Sequence, residues 1–220
     1  MKTLTQPERQ RQFTPGDGII FKLDKLLKSA LGPHVAGRPY PAEQLAETVK
    51  DAATRNKIAG LMRVNHAGEI CAQALYHGQA ATARKTGVSE SMAQAAQEEV
   101  DHLAWCARRL DELGSRPSLL DPFWYAGSFV IGGIAGISGD KRSLGFVAET
   151  EKQVVNHLQQ HLAQLPVEDA RSRAILEQMV NDEARHGNEA LHQGGELPPG
   201  PIRTLMKMTA KIMTFTAQRI

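Results

Sequence analysis

Four stretches of this chain repeat apolar residues at steps of three and four, and each sets a glutamate into the middle of its apolar stripe. The first, within Pro41 to about Thr86, runs Ile58, Met62, Asn65, Glu69, Ala72 and Tyr76. The second, about 89 to 113, runs Met92, Ala95, Glu99, His102, Cys106 and Leu110, with Ser89 as its expected N-cap and Gly114 beyond its end. The third, about 142 to 165, carries Leu144, Val147, Ala148, Glu151, Val155 and Leu158 before Pro166 stops it. The fourth, about 167 to 192, carries Ile175, Met179, Glu183, His186 and Ala190 before Gly194. A carboxylate on the core face of a helix is costly to bury unless a cation or hydrogen bonds compensate it. Four such burials on four helices are most simply explained by one shared centre.

The spacing sharpens that expectation. Glu-x-x-His puts both side chains on one helix face, and it occurs at Glu99/His102 and again at Glu183/His186. A lone glutamate precedes each pair at a similar distance, Glu69 by 30 residues and Glu151 by 32. Two helix pairs, each giving Glu and then Glu-x-x-His, form the ligand set of di-iron or di-manganese carboxylate bundles, with Glu99 and Glu183 as the bridging pair. A third match, Glu189/His192, points elsewhere, because Glu189 lies about 240° around the helix from Glu183. Glu151 is chosen over Glu149 because it continues the apolar stripe. Glu98 and Asp182, each just ahead of a central glutamate, are placed to accept a hydrogen bond from the opposite histidine.

The fold expected is all-α: a ferritin-like four-helix bundle with a long crossover between its second and third helices, plus an additional C-terminal amphipathic helix. Residues 1–40 read as an N-terminal extension with one short helix at 16–30, and 41–220 as the bundle domain. The crossover holds the most apolar segment, Phe123 to Ile137, whose 15 residues fall short of the roughly 20 a spanning helix needs. After Pro201, Leu205, Met208, Ile212 and Phe215 alternate with Arg203, Lys207, Lys211 and Arg219, a pattern suited to lying on an anionic lipid surface. A net charge of +2 gives no nucleic-acid footprint. Two separated cysteines, Cys71 and Cys106, argue against a disulfide scaffold or a thiolate zinc site. The polar N-terminus argues against export.

The strings LMRVNHAGE (61–69), YHGQ (76–79), EEVDH (98–102) and NDEARH (181–186), with the glycine-rich crossover and the terminal QRI, resemble the demethoxyubiquinone hydroxylase family of ubiquinone biosynthesis. The resemblance covers about residues 50 to 220. It implies a monooxygenase that hydroxylates a methoxy-methyl-polyprenyl benzoquinol with O2 at two iron ions, using reducing equivalents that can come from NADH. It places the ligands at the six positions already chosen: Glu69, Glu99, His102, Glu151, Glu183 and His186. His157 would precede a tyrosine in eukaryotic relatives, a pair linked to electron delivery; here Leu158 follows it. Peripheral attachment at the cytoplasmic face of the inner membrane is expected, with a homo-oligomer or a ubiquinone-biosynthesis complex as protein partners. The competing readings are a ferritin-like iron-storage or detoxification bundle, which has no need of the basic apolar tail, and a membrane-docked lipid-binding protein.

Overall fold

In the computed structural model residues 34–220 and Gly32 are described, and the expected short helix at 16–30 lies outside them. Six helices follow one another, and no strand occurs among the described residues: α1 Ala52–Thr82, α2 Thr86–Glu112, α3 Asp121–Ile137, α4 Asp140–Gln164, α5 Ala170–His192 and α6 Gly200–Ala217. Helices α1, α2, α4 and α5 are the four read from the apolar stripes. The crossover is itself helical, because Phe123–Ile137 becomes α3 and packs along α1.

Helix starts differ from local capping rules where distant residues take over. The first helix begins at residue 52, where Asp51 accepts from the Thr54 amide at 2.7 Å. Residues ahead of it stay irregular while burying Tyr40, Ala42 and Val49 in the core. Ser89 does not cap α2, which starts three residues earlier, at Thr86. There Asp140, across the bundle, accepts from the Arg84 and Lys85 amides at 2.9 and 3.0 Å, and Ser89 Oγ donates to the Ala80 carbonyl instead. α5 begins at Ala170 with Asp169 accepting from the Ser172 amide. Gly139, at φ +113°, makes the tight turn from α3 into α4.

The core divides in two. One apolar plug gathers Met62, Cys106, Leu158 and Met179; the other gathers Tyr76, Met92, Ala148 and Ala190. Each bundle helix contributes to both, and its central glutamate falls between its two contributions. The interior is therefore apolar, then polar, then apolar along the bundle. A buried arginine braces the first plug's end: Arg109, fully enclosed, donates to Asp169 (3.0 Å), Ser172 (2.9 Å) and Glu47 (2.5 Å). It ties α2, α5 and the segment before α1 together.

α3 lies close on α1 because both are glycine-lined at the crossing. A Cβ at Gly132 would collide with the Leu75 carbonyl, and one at Gly78 with the Phe129 carbonyl. A smaller cluster of Val64, Ala67, Met213 and Ala217, with Trp124 against it, joins α1, α3 and α6. Gly132→Val should force α3 off α1 and destabilise the fold by about 1–3 kcal/mol. Gly127→Ala on the same helix, with nothing within 4 Å of its Cβ, should leave the thermal midpoint unchanged or raise it slightly. Thermal denaturation followed by circular dichroism compares the two.

Candidate metal centre

The six residues chosen from helical period meet in the polar layer, and none is more than 5% exposed. Ligand-capable atoms of Glu69, Glu99, His102 and Glu183 all lie within 4.8 Å of one another. Glu99 and Glu183 each turn one oxygen to each histidine. His102 Nδ1 is 3.0 Å from Glu99 Oε2 and 2.9 Å from Glu183 Oε1, while His186 Nδ1 is 3.6 Å from Glu99 Oε1 and 3.2 Å from Glu183 Oε2. Glu69 stands at the His102 end, 3.7 Å from Nδ1. Glu151 faces His186 and accepts from the buried Tyr76 hydroxyl. The site thus repeats about its middle: a lone glutamate and a histidine at each end, with two shared carboxylates between.

Each histidine's far nitrogen is also held. His102 Nε2 is 3.0 Å from Asp182 Oδ2, and His186 Nε2 is 2.7 Å from Glu98 Oε2. This is the crossed pairing expected from sequence, with each carboxylate serving the histidine of the other motif, and it fixes both Nδ1 atoms toward the centre. Glu189 is exposed and pairs with Arg185 at 3.2 Å. Glu149 is buried despite lying off the stripe, with Oε1 accepting from Gln153 at 2.8 Å. Burial alone therefore does not separate it from Glu151; orientation does.

The electrostatics of the layer are set by burial and by its crowded carboxylates. Burial, then the Glu183 charge, pushes the Glu99 carboxyl far above its ordinary range, and burial followed by Glu183 and Glu99 does the same to Glu151. Burial also opposes the His102 and His186 cations, yet the surrounding carboxylates overcome it, raising His102 well above its usual value and His186 to about 9. Protons thus gather where positive charge is wanted. Glu99 Oε1 and Glu151 Oε2 remain buried without a hydrogen-bond partner. Four carboxylates, two imidazole Nδ1 atoms and orphaned carboxylate oxygens fit hard or borderline divalent cations.

Beside this layer lies a cavity of about 660 Å³. Glu69 is the only one of the six on its wall; the rest of the lining is mostly apolar, including Leu75, Trp124, Ile131, Phe146 and Met213. Its outer edge is α6, with Leu205, Lys207 and Lys211. His157 lines it too, with Nε2 buried and without a hydrogen-bond partner, and its ring lies 3.9 Å, centroid to centroid, from that of His161. His161 Nδ1 in turn sits 2.7 Å from Asn65 Oδ1. Burial, then the neighbouring His157, lowers His161 to about 3, so it meets Asn65 as a neutral ring. His161 and Arg38, the latter bonded to Asp182 at 2.8 Å, lie outside the residues expected from sequence. Neither stands in a motif that would mark it.

An all-helical bundle with Glu and Glu-x-x-His repeated across two helix pairs defines the ferritin-like carboxylate class. Within that class the chain belongs to the family described as ubiquinone biosynthesis protein COQ7, which matches residues 56–217. It is 55% identical to the 3-demethoxyubiquinol 3-hydroxylase of Cupriavidus metallidurans over 93% of this chain and 100% of that protein. It is 52% identical to the enzyme of the same name from Chromobacterium violaceum over 93% of this chain and 99% of that protein. The family expected from the motifs is the one found.

Two outcomes test the centre. Glu99→Ala or Glu183→Ala should abolish metal binding while leaving the helical circular-dichroism signal intact, since removing one carboxylate also relieves repulsion among the others; Glu189→Ala should retain metal. Metal uptake must also displace the histidine protons. Affinity for ferrous ion should therefore rise with pH through about 9, where His186 is half deprotonated, and fall as pH drops. Calorimetry in buffers of different ionisation enthalpy should record proton release on binding at neutral pH.

Proposed function

We propose that this chain is a di-iron 3-demethoxyubiquinol 3-hydroxylase, placing one oxygen atom of O2 on the ring of a polyprenyl benzoquinol in ubiquinone biosynthesis. Glu69 and His102 would hold iron at one end of the layer and Glu151 and His186 at the other, with Glu99 and Glu183 lying between the two ends. The observation that carries this reading is the apolar cavity, which begins at Glu69 and ends at the exposed apolar helices. Bound iron would supply the electrons and open coordination positions by which O2 is activated.

The protein's own residues do the rest. Glu98 and Asp182 fix the histidine rings in the orientation that aims Nδ1 at the metal. Tyr76 donates to Glu151 and holds it in place. The two apolar plugs keep bulk water from the reacting layer. His157 stands in the cavity wall, and burial holds its pKa below the usual imidazole value, so it borders the quinol's space as a neutral ring.

The polyprenyl tail needs a lipid-side entrance, and the surface supports one. Phe123, Val130, Ile134 and Ile137 of α3 and Leu205, Met208, Ile212 and Phe215 of α6 are all exposed, beside the basic Lys207 and Lys211. Among the described residues no helix is long and apolar enough to cross a membrane. The exposed apolar and basic residues support peripheral attachment to a membrane, which this reading assigns to the cytoplasmic face of the inner membrane. The apolar crossover divides its labour more finely than its composition indicates: Tyr125 is buried and meets His77 at 2.8 Å, and Trp124 lines the cavity rather than facing outward. An iron-storage bundle would share the six ligands but have no use for an apolar cavity opening on an apolar surface.

A strain lacking this protein should accumulate demethoxyubiquinone, and the wild-type chain should restore ubiquinone; quinone extraction and mass spectrometry decide it. Unchanged ubiquinone in the deletion strain would reject the substrate. Phe123→Asp with Ile134→Asp should weaken liposome binding and slow turnover of long-tailed quinol more than of a short-tailed analogue, with metal content unaltered.

A further inference from the structure

The repeat in the ligand set extends one layer outward, but its two halves are built from different parts of the chain. On the His186 side, Glu98 Oε2 takes the histidine Nε2 at 2.7 Å and Arg185 Nη2 at 2.8 Å, and Arg185 Nη2 lies 3.4 Å from His186 Nε2. On the His102 side, Asp182 Oδ2 takes the histidine Nε2 at 3.0 Å and Arg38 Nη1 at 2.8 Å, and Arg38 Nη2 lies 3.3 Å from His102 Nε2. Each half is a histidine, carboxylate and arginine in the same arrangement.

Arg185 is the third residue of its own Glu-x-x-His motif. The matching position in the other motif is Asp101, an acid that cannot play the same part. Asp101 instead draws in the missing arginine: its Oδ2 accepts from Arg38 Nε at 2.5 Å and its Oδ1 from the Gly37 amide at 2.6 Å. The guanidinium is further set over the Trp105 ring, 4.8 Å from its centroid. Asp182's other contacts are weaker: the Gln178 amide at 3.2 Å and Arg185 at 3.9 Å, both to Oδ1. Oδ2, the oxygen on His102, depends on Arg38.

We infer that Arg38 is a positioning residue of the metal centre, orienting Asp182 and through it His102, and that residues 37–38 form a strap whose docking and metal occupancy strengthen each other. This rests on the reading of the six residues as iron ligands. A planar fork is required, because one guanidinium bonds Asp101 through Nε and Asp182 through Nη1, a span a lysine ammonium does not reproduce. Linkage makes the effect reciprocal: a strap that favours the metal-bound arrangement is itself held by the metal.

The test uses the full chain loaded anaerobically with ferrous iron. For Arg38→Gln, one of the two irons should be released to a chelator ~10-fold faster than in wild type, the order expected for loss of an outer hydrogen-bonding partner. One Mössbauer doublet should shift and the other stay in place. Arg38→Lys should restore folding stability without restoring slow release. In wild type, iron loading should slow hydrogen exchange at the Gly37 amide. Asp101→Asn, which releases the strap without touching Asp182, should abolish that protection and speed release of the same iron, so the question remains decidable should Arg38→Gln fail to fold. Wild-type release and unchanged doublets in a folded Arg38→Gln, or in Asp101→Asn, would overturn the strap while leaving the di-iron reading intact. A wild-type chain that holds no iron would overturn that reading and the strap with it.

Discussion

Everything in this bundle is arranged around the cost of placing four carboxylates and two imidazoles, nearly sealed from water, in one layer. Without a cation the layer can exist only by taking up protons, which is why burial and mutual repulsion drive Glu99 and Glu151 toward their neutral forms while the histidines are held as cations. The two apolar plugs make the arrangement possible. Each helix anchors itself in both, so the polar layer is spanned by segments fixed at either end. The net result is a fold able to survive an electrostatically unfavourable middle whose clustered donors fit a divalent metal.

Further charge surrounds that layer. Although burial works against ionisation, Arg185 and His186 hold Glu98 down to about 2, and His102 and Arg38 hold Asp182 well below the carboxylate range. Both outer carboxylates therefore stay charged and keep their grip on the histidines across ordinary pH. The buried Arg109 network with Asp169 and Glu47 follows the same rule at the bundle's end, where charges removed from water are matched by direct partners.

The bundle and its six central residues were legible because both obey a period. An amphipathic helix announces its face every three or four residues, and a carboxylate on that face is conspicuous. Glu98 and Asp182 were legible by symmetry, standing at equal places in two copies of one motif. Arg38 was not, since it comes from an irregular segment with no period and reaches Asp101 across 63 residues of sequence. The start of α2 departs from its local signal for a similar reason: Ser89 is a good local cap, but Asp140, 55 residues from Lys85, already satisfies the amides of the preceding turn. Trp124 and Tyr125 turn inward beside the exposed Phe123, a division that composition does not show because it does not tell which side of a short helix meets α1.

The near-symmetry of the ligands ends at the cavity. Only Glu69 reaches its wall, whereas Glu151 lies behind Tyr76 in packing that leaves no room for a water molecule. Two chemically similar positions, products of one repeated motif, are thereby given unequal neighbourhoods: one borders the space a ring would occupy, and the other is walled in. A pair of metals seated there would not be interchangeable. A cation held beside Glu69 would border that space and one held beside Glu151 would be walled off from it, because one end of a duplicated pattern was left open and the other closed.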